Sequence, residues 1–146
     1  MRRFLTVLTV LCLLLAACGK SDKKKDESGS SKKGTSATAK QAGLKGKVND
    51  HGTKTVADGA TVEVELDDDY FGPTFIKAKA GAHITLEIKN EGKLKHTFTM
   101  DKPKVDEELA PDASKKVSIT VPSGAAAPFH CRFHQDAGMQ GALVTS

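Results

Sequence analysis

Tryptophan is absent, tyrosine occurs once, and aromatic residues make up only 5% of the 146-residue chain, so the side chains that build large cores and stacking platforms are scarce. Phe71, Phe75, Phe98 and Phe129 must then supply much of the core volume. Without an aromatic platform, and with basic residues interleaved among acidic ones beyond residue 43, nucleic-acid binding has no support. The longest apolar stretch, Phe4 to Leu15, falls short of the roughly 20 residues that a membrane-spanning helix needs, and it runs into polar sequence. His-rich and Met-rich runs are missing, and internal repeats are not visible.

Cysteine is scarce as well: Cys12, Cys18 and Cys131 are the three in the chain. Residues 1–18 read as an export signal, with Arg2 and Arg3 as a positive start, an apolar segment, and Leu15-Ala16-Ala17-Cys18 as a lipoprotein cleavage site. Plain secretion is the alternative. Processing would remove Cys12 and place a lipidated Cys18 at the new N-terminus, anchoring the protein to the outer face of the cytoplasmic membrane or within the periplasm of a two-membrane cell. Cys131 is then the only thiol left, so no internal disulfide can form. An unpaired cysteine in an oxidising compartment needs a reason, and metal ligation is one.

Residues 19–43 hold hardly an apolar side chain, too few to offset the entropy of ordering them, and read as a flexible, disordered Lys/Ser/Gly-rich linker. Seven Lys against Asp22, Asp26 and Glu27 give this stretch a net +4, whereas residues 44–146 carry a net −2. The basic stretch acts as a soluble spacer or lies along anionic lipid headgroups.

Residues 44–146 are long enough for one domain. Apolar residues there recur with period two between Gly, Asp, Asn and Pro punctuation: Thr61–Leu66, Pro73–Ala78, Ile84–Ile88, His96–Met100, Val117–Val121, Ala126–Cys131 and Gly141–Thr145. About seven short strands predict an all-β fold, a Greek-key β-sandwich. Val105 to Ala110 is expected to form one helical turn. Asp67-Asp68-Asp69 and Asp106-Glu107-Glu108 are acidic clusters, read as solvated surface or as a docking patch for a basic partner.

The chemistry-bearing pattern is Cys131-x2-His134-x4-Met139, with His96 lying 35 residues upstream of Cys131. Singly, a strand cysteine is a small buried hydrophobe and a methionine is core filler. Together they offer one thiolate, two imidazoles and one thioether, the donor set suited to copper in an electron-transfer site, with a His2Cys plane and a distant axial Met. His130 should point to the opposite face of its strand from Cys131. His51 and His83 fall in turns, and Met100 is assigned to the core.

The segments CRFHQDAGM and NEGKLKHTFTM resemble the copper loop and the first-ligand segment of small cupredoxins such as plastocyanin, amicyanin and pseudoazurin, over roughly residues 55–146. The resemblance implies a cupredoxin-like fold with one type 1 copper per chain and His96, Cys131, His134 and Met139 as its ligands. Thr97 stands where many plastocyanins have Asn, and its amide is the implied first donor to the Cys131 sulfur. Phe133 stands where Pro is common, so its N–H is expected as a second donor. The implied function is a membrane-tethered, monomeric carrier of single electrons between transient donor and acceptor proteins. The alternative is a module for copper storage, sensing or delivery. Enzymatic cupredoxins need further His clusters or a second loop Cys, which are lacking, so no enzyme activity is expected. Lipidation is open to direct test: the Cys18→Ala protein should no longer incorporate labelled fatty acid, and soluble wild-type protein with its N-terminus elsewhere would refute the anchor.

Overall fold

The computed structural model of the protein describes residues 37–124 and 126–146. The expected export signal, Cys18 and most of the linker lie outside the described residues. Among those described, no helix is long and apolar enough to cross a membrane.

Ten strands and one short helix follow one another: α1 (Ala37–Gln41), β1 (Thr53–Thr55), β2 (Thr61–Asp67), β3 (Tyr70–Gly72), β4 (Phe75–Ala78), β5 (His83–Asn90), β6 (His96–Met100), β7 (Val105–Leu109), β8 (Ser114–Thr120), β9 (Ala126–His130) and β10 (Gln140–Thr145). They form two sheets, in the orders β1-β4-β10-β9-β6-β7 and β3-β2-β5-β8. The all-β sandwich is therefore present, with three more strands than the alternation of apolar residues indicated. β1 and β3 are three-residue pieces, too short to show a period.

β7 corrects the expected helical turn. Val105–Leu109 lies antiparallel to β6, from His96↔Leu109 to Met100↔Val105. Its pattern, with Val105 and Leu109 buried and Asp106 and Glu108 exposed, fits an edge strand with one wet face. Local helix preference of the acidic run yields to cross-strand pairing, including Asp106 with Thr99. The span read as linker ends earlier than residue 43. Ala39 and Ala42 are buried against Phe75 and Ala142, so α1 packs onto the domain.

The core forms because the strands present period-two faces. Val62, Val64 and Leu66 of β2 face inward with Ile84, Leu86 and Ile88 of β5. Phe71, Phe98 and Phe129 meet at its centre: Phe71 stands edge-on to the other two at 5.8 and 5.1 Å, and Phe98 and Phe129 are tilted at 4.8 Å. Such arrangements suit the ring quadrupole.

The topology places the functional end. β9 runs antiparallel to both β6 and β10, with Thr99↔His130 and Gln140↔His130 in register. The start of β6, the exit of β9 and the entry of β10 therefore share one end of the six-stranded sheet. Gly141 lets β10 pass close to its neighbours: a β-carbon there would lie 2.2 Å from the Thr74 carbonyl oxygen and 2.5 Å from the Phe129 ring. Gly141→Ala should cost about 1–3 kcal/mol through overpacking, seen as a lower urea midpoint with an unchanged slope. An unchanged midpoint would show that β10 has more room than this.

Candidate metal centre

His96 opens β6, and the turn before it is tied down on both sides. Buried Asn90 donates through Nδ2 to the carbonyls of Leu94 (2.8 Å) and Leu109 (3.0 Å), and its Oδ1 accepts the Gly92 N–H (3.0 Å). Asp68 Oδ1 accepts the N–H groups of Lys93 (2.8 Å) and Leu94 (3.3 Å). Those donors, Lys93 foremost, hold the Asp68 carboxyl below its ordinary pKa.

Cys131 leaves β9 directly into the loop that carries His134 and Met139. The Cys131 N–H donates to the Met139 carbonyl (3.0 Å), and the Met139 N–H donates back to that of His134 (3.1 Å). Inside this closure the His134 N–H reaches the Cys131 carbonyl (3.2 Å) and the Gly138 N–H reaches that of Gln135 (2.9 Å). The loop is thus closed by its own backbone hydrogen bonds.

The result is a triangle of donors. His96 Nδ1 and His134 Nδ1 are 3.1 Å apart, and Cys131 Sγ lies 3.8 Å from the first and 3.6 Å from the second. A triangle with these sides has a point about 2 Å from all three corners, close to first-row metal bonds, which for zinc are about 2.0–2.1 Å to imidazole nitrogen and about 2.3 Å to thiolate. The donors therefore fit one metal ion without rearrangement. His96 and Cys131 are fully buried and His134 is half-buried. Burial first, and then the nearby His134, push the His96 pKa down, which favours the neutral imidazole that a metal requires. Met139 is buried in the same apolar cluster as Cys131.

Around the sulfur, the Thr97 N–H donates to Cys131 Sγ at 3.4 Å. The Thr97 hydroxyl accepts the Arg132 N–H at 2.9 Å, a link that ties β6 to the start of the loop. The expected second donor is not found: the Phe133 amide makes no hydrogen bond to Sγ. Phe133 lies in the turn closed by His134 N–H to the Cys131 carbonyl, with its ring at the surface, 49% exposed. Lys95 and Arg132 sit over that ring at 5.6 and 5.8 Å.

The remaining histidines take no part in the triangle. His130 is half-buried on β9, His51 stacks on Tyr70 with centroids 3.5 Å apart, and His83 Nδ1 meets the Thr120 hydroxyl at 3.1 Å. The acidic clusters are engaged within the chain. Asp67 accepts the Asp68 N–H and the Tyr70 hydroxyl. Asp106 and Glu108 pair with Arg132, Glu108 also with Lys95, and Glu107 with Lys115.

Two residues with no signal in the local sequence complete the architecture. Asn49 donates through Nδ2 to the carbonyls of Asp69 (2.8 Å) and Ala137 (3.1 Å), and its backbone N–H donates to Gly138 O (3.0 Å). Gly138 has φ +109°, and a β-carbon there would lie 2.9 Å from the Asn49 side chain, so glycine is required on both counts. Gln140 Nε2 donates to the carbonyls of Lys45 and Lys47, each at 2.6 Å.

A two-sheet sandwich with a thiol and two imidazoles converging at one end offers a candidate site for a soft metal ion. The chain belongs to the family described as the cupredoxin-like domain, whose model matches residues 7–145. Three auracyanins share the fold. That of Roseiflexus castenholzii, solved in a dithionite-reduced form, has a TM-score of 0.54 at 16% identity, covering 62% of this chain and 99% of its own. Auracyanin B has a TM-score of 0.54 at 19% identity, covering 61% and 90%. Auracyanin A of Chloroflexus aurantiacus, titled a "blue" copper protein, has 0.52 at 18%, covering 60% and 100%. The metal-binding domain of a Cu(I)-exporting P-type ATPase, CopA of Streptococcus pneumoniae, has 0.54 at 11%, covering 66% and 97%. The copper-resistant cuproprotein CopI of Pseudomonas aeruginosa is 48% identical over 40 residues, 27% of this chain and 22% of that protein, so the match spans about a fifth of the relative's length. Family and donor set together support copper as the metal.

Tyr70, the sole tyrosine, reports on the flank of this centre. Burial, and then its hydrogen bond to Asp67, push its pKa up to about 12. Ordinary tyrosine ionises near 10, so the stability tied to the protonated phenol is full below about pH 10 and is lost as pH rises toward 12. Ultraviolet titration should place the midpoint about two units above that of the unfolded chain, and a midpoint near 10 would show that the phenol is not held.

Proposed function

We propose that this protein is a type 1 copper electron carrier in which His96, Cys131, His134 and Met139 would hold one copper ion. The observation that carries this reading is the donor triangle, closed by backbone hydrogen bonds and with its thiol accepting the Thr97 N–H. Copper, when bound, supplies a one-electron couple. The chain's part is to keep two imidazoles and a thiolate in a single arrangement for both oxidation states, which keeps reorganisation small. Buried His96 and Cys131 exclude water, and half-buried His134 is the ligand nearest solvent. The exposed large apolar side chains, Leu94 and Phe133, flank the ligands in sequence, two residues before His96 and one before His134. An apolar rim of this kind suits brief contact with a redox partner.

Export, attachment through Cys18, transient donor and acceptor proteins, a monomeric state and the lack of enzyme activity belong to this same proposal. The competing reading is copper handling, favoured by the likeness to a relative named as copper-resistant. A closed loop and a buried thiol support a retained cofactor over an exchanging cargo.

The copper-loaded wild type should be intensely blue and lose its colour with ascorbate, and Cys131→Ser should be colourless. A colourless wild-type complex, or a mutant that stays blue, would sink the assignment. Ala137 is exposed, so Ala137→Glu should slow electron exchange with partners several-fold while the spectrum stays blue. Unchanged exchange rates together with rapid loss of copper to a chelator would favour copper handling.

A further inference from the structure

His96 carries a buried ring nitrogen that the rest of the fold leaves unsatisfied. Among the described residues its Nε2 is the buried side-chain polar atom without a hydrogen-bond partner, an uncommon condition in a native interior. The acceptor facing it is Asp68, whose Oδ1 lies 3.9 Å away. That oxygen is fixed in place by the Lys93 and Leu94 amides. Gly92 closes over the pair: a β-carbon there would lie 2.8 Å from Asp68 Oδ1 and 3.0 Å from His96 Nε2.

We infer that Asp68 is the carboxylate partner of His96, accepting its Nε2–H when Nδ1 is bound to copper, and that its charge lowers the reduction potential of the site. The inference rests on the copper reading above and adds a residue outside the donor set. A neutral imidazole has one N–H. Coordination at Nδ1 puts that proton on Nε2, where it needs an acceptor, and a carboxylate there orients the ring and raises its basicity. A closure of under about 1 Å brings the present separation into hydrogen-bond range. The oxidised site carries one more positive charge than the reduced site, so a fixed negative charge beside His96 favours Cu(II) over Cu(I). Because the Asp68 side chain is 47% exposed, salt should weaken the effect.

Asp68→Asn is the informative variant, since its Oδ1 can still accept both backbone amides while the charge is lost. The variant should stay blue, with Cu(II) binding weakened about three- to tenfold relative to Cu(I). That corresponds to a potential roughly 30–60 mV higher by protein-film voltammetry, with a smaller difference at high ionic strength. Gly92→Ala keeps the carboxylate but wedges a methyl group into the gap, and should move the potential the same way even if Asp68→Asn proves unstable. Nitrogen-15 NMR of the copper-free wild type should find His96 protonated on Nε2, a preference weakened in Asp68→Asn. A blue Asp68→Asn protein with an unchanged or lower potential would overturn the role of Asp68 and leave the copper reading standing. A wild type that is colourless with copper would overturn both.

Discussion

Everything at the functional end depends on holding two imidazole nitrogens and a sulfur within 3.1–3.8 Å of one another. Three polar side chains brought so close lose water and rotamer freedom. The fold offsets this with backbone geometry, because each net hydrogen bond contributes only about 0.5–1.5 kcal/mol and several must act together. The reciprocal pair between the Cys131 and Met139 amides and the Met139 and His134 carbonyls closes the loop. Thr97 joins the loop to β6 twice, through its amide to the sulfur and its hydroxyl to Arg132. Backbone and Thr97 hydrogen bonds thereby connect the segments that carry the donors.

The loop is also clamped from outside the two ligand-bearing segments. Asn49 spans the Asp69 turn and the Ala137–Gly138 bend, and Gln140 anchors the carbonyls of Lys45 and Lys47. The chain before β1 is therefore part of the site's scaffold, which explains why α1 and the residues after it are packed. These hydrogen bonds tie the ligand loop and the start of β10 to the N-terminal segment.

Charge near the site serves the fold before it serves any partner. Asp67 and Asp68 accept turn amides, while Asp106 and Glu108 of β7 pair with Arg132 of the ligand loop. Exposed pairs of this sort contribute little stability singly, but they spend the acidic clusters internally and leave Leu94 and Phe133 as the exposed large apolar groups.

Local pattern by itself determined the β class, the buried faces of β2, β5 and β6, and the candidate donors. Period-two alternation and the Cys-x2-His-x4-Met spacing are short-range features that need no partner to be read. Tertiary structure alone decided the rest. β7 is a strand because β6 offers it a ladder, whatever its acidic run prefers. The Phe133 amide makes no hydrogen bond to the sulfur, while that of Thr97, on β6, does. Asn49 meets Ala137 across 88 residues, and Asp68 meets His96 across a sheet turn, at distances that neither segment encodes. Hydrogen bonds between remote loops depend on how the two sheets pack, and packing is a property of the whole chain rather than of any window along it.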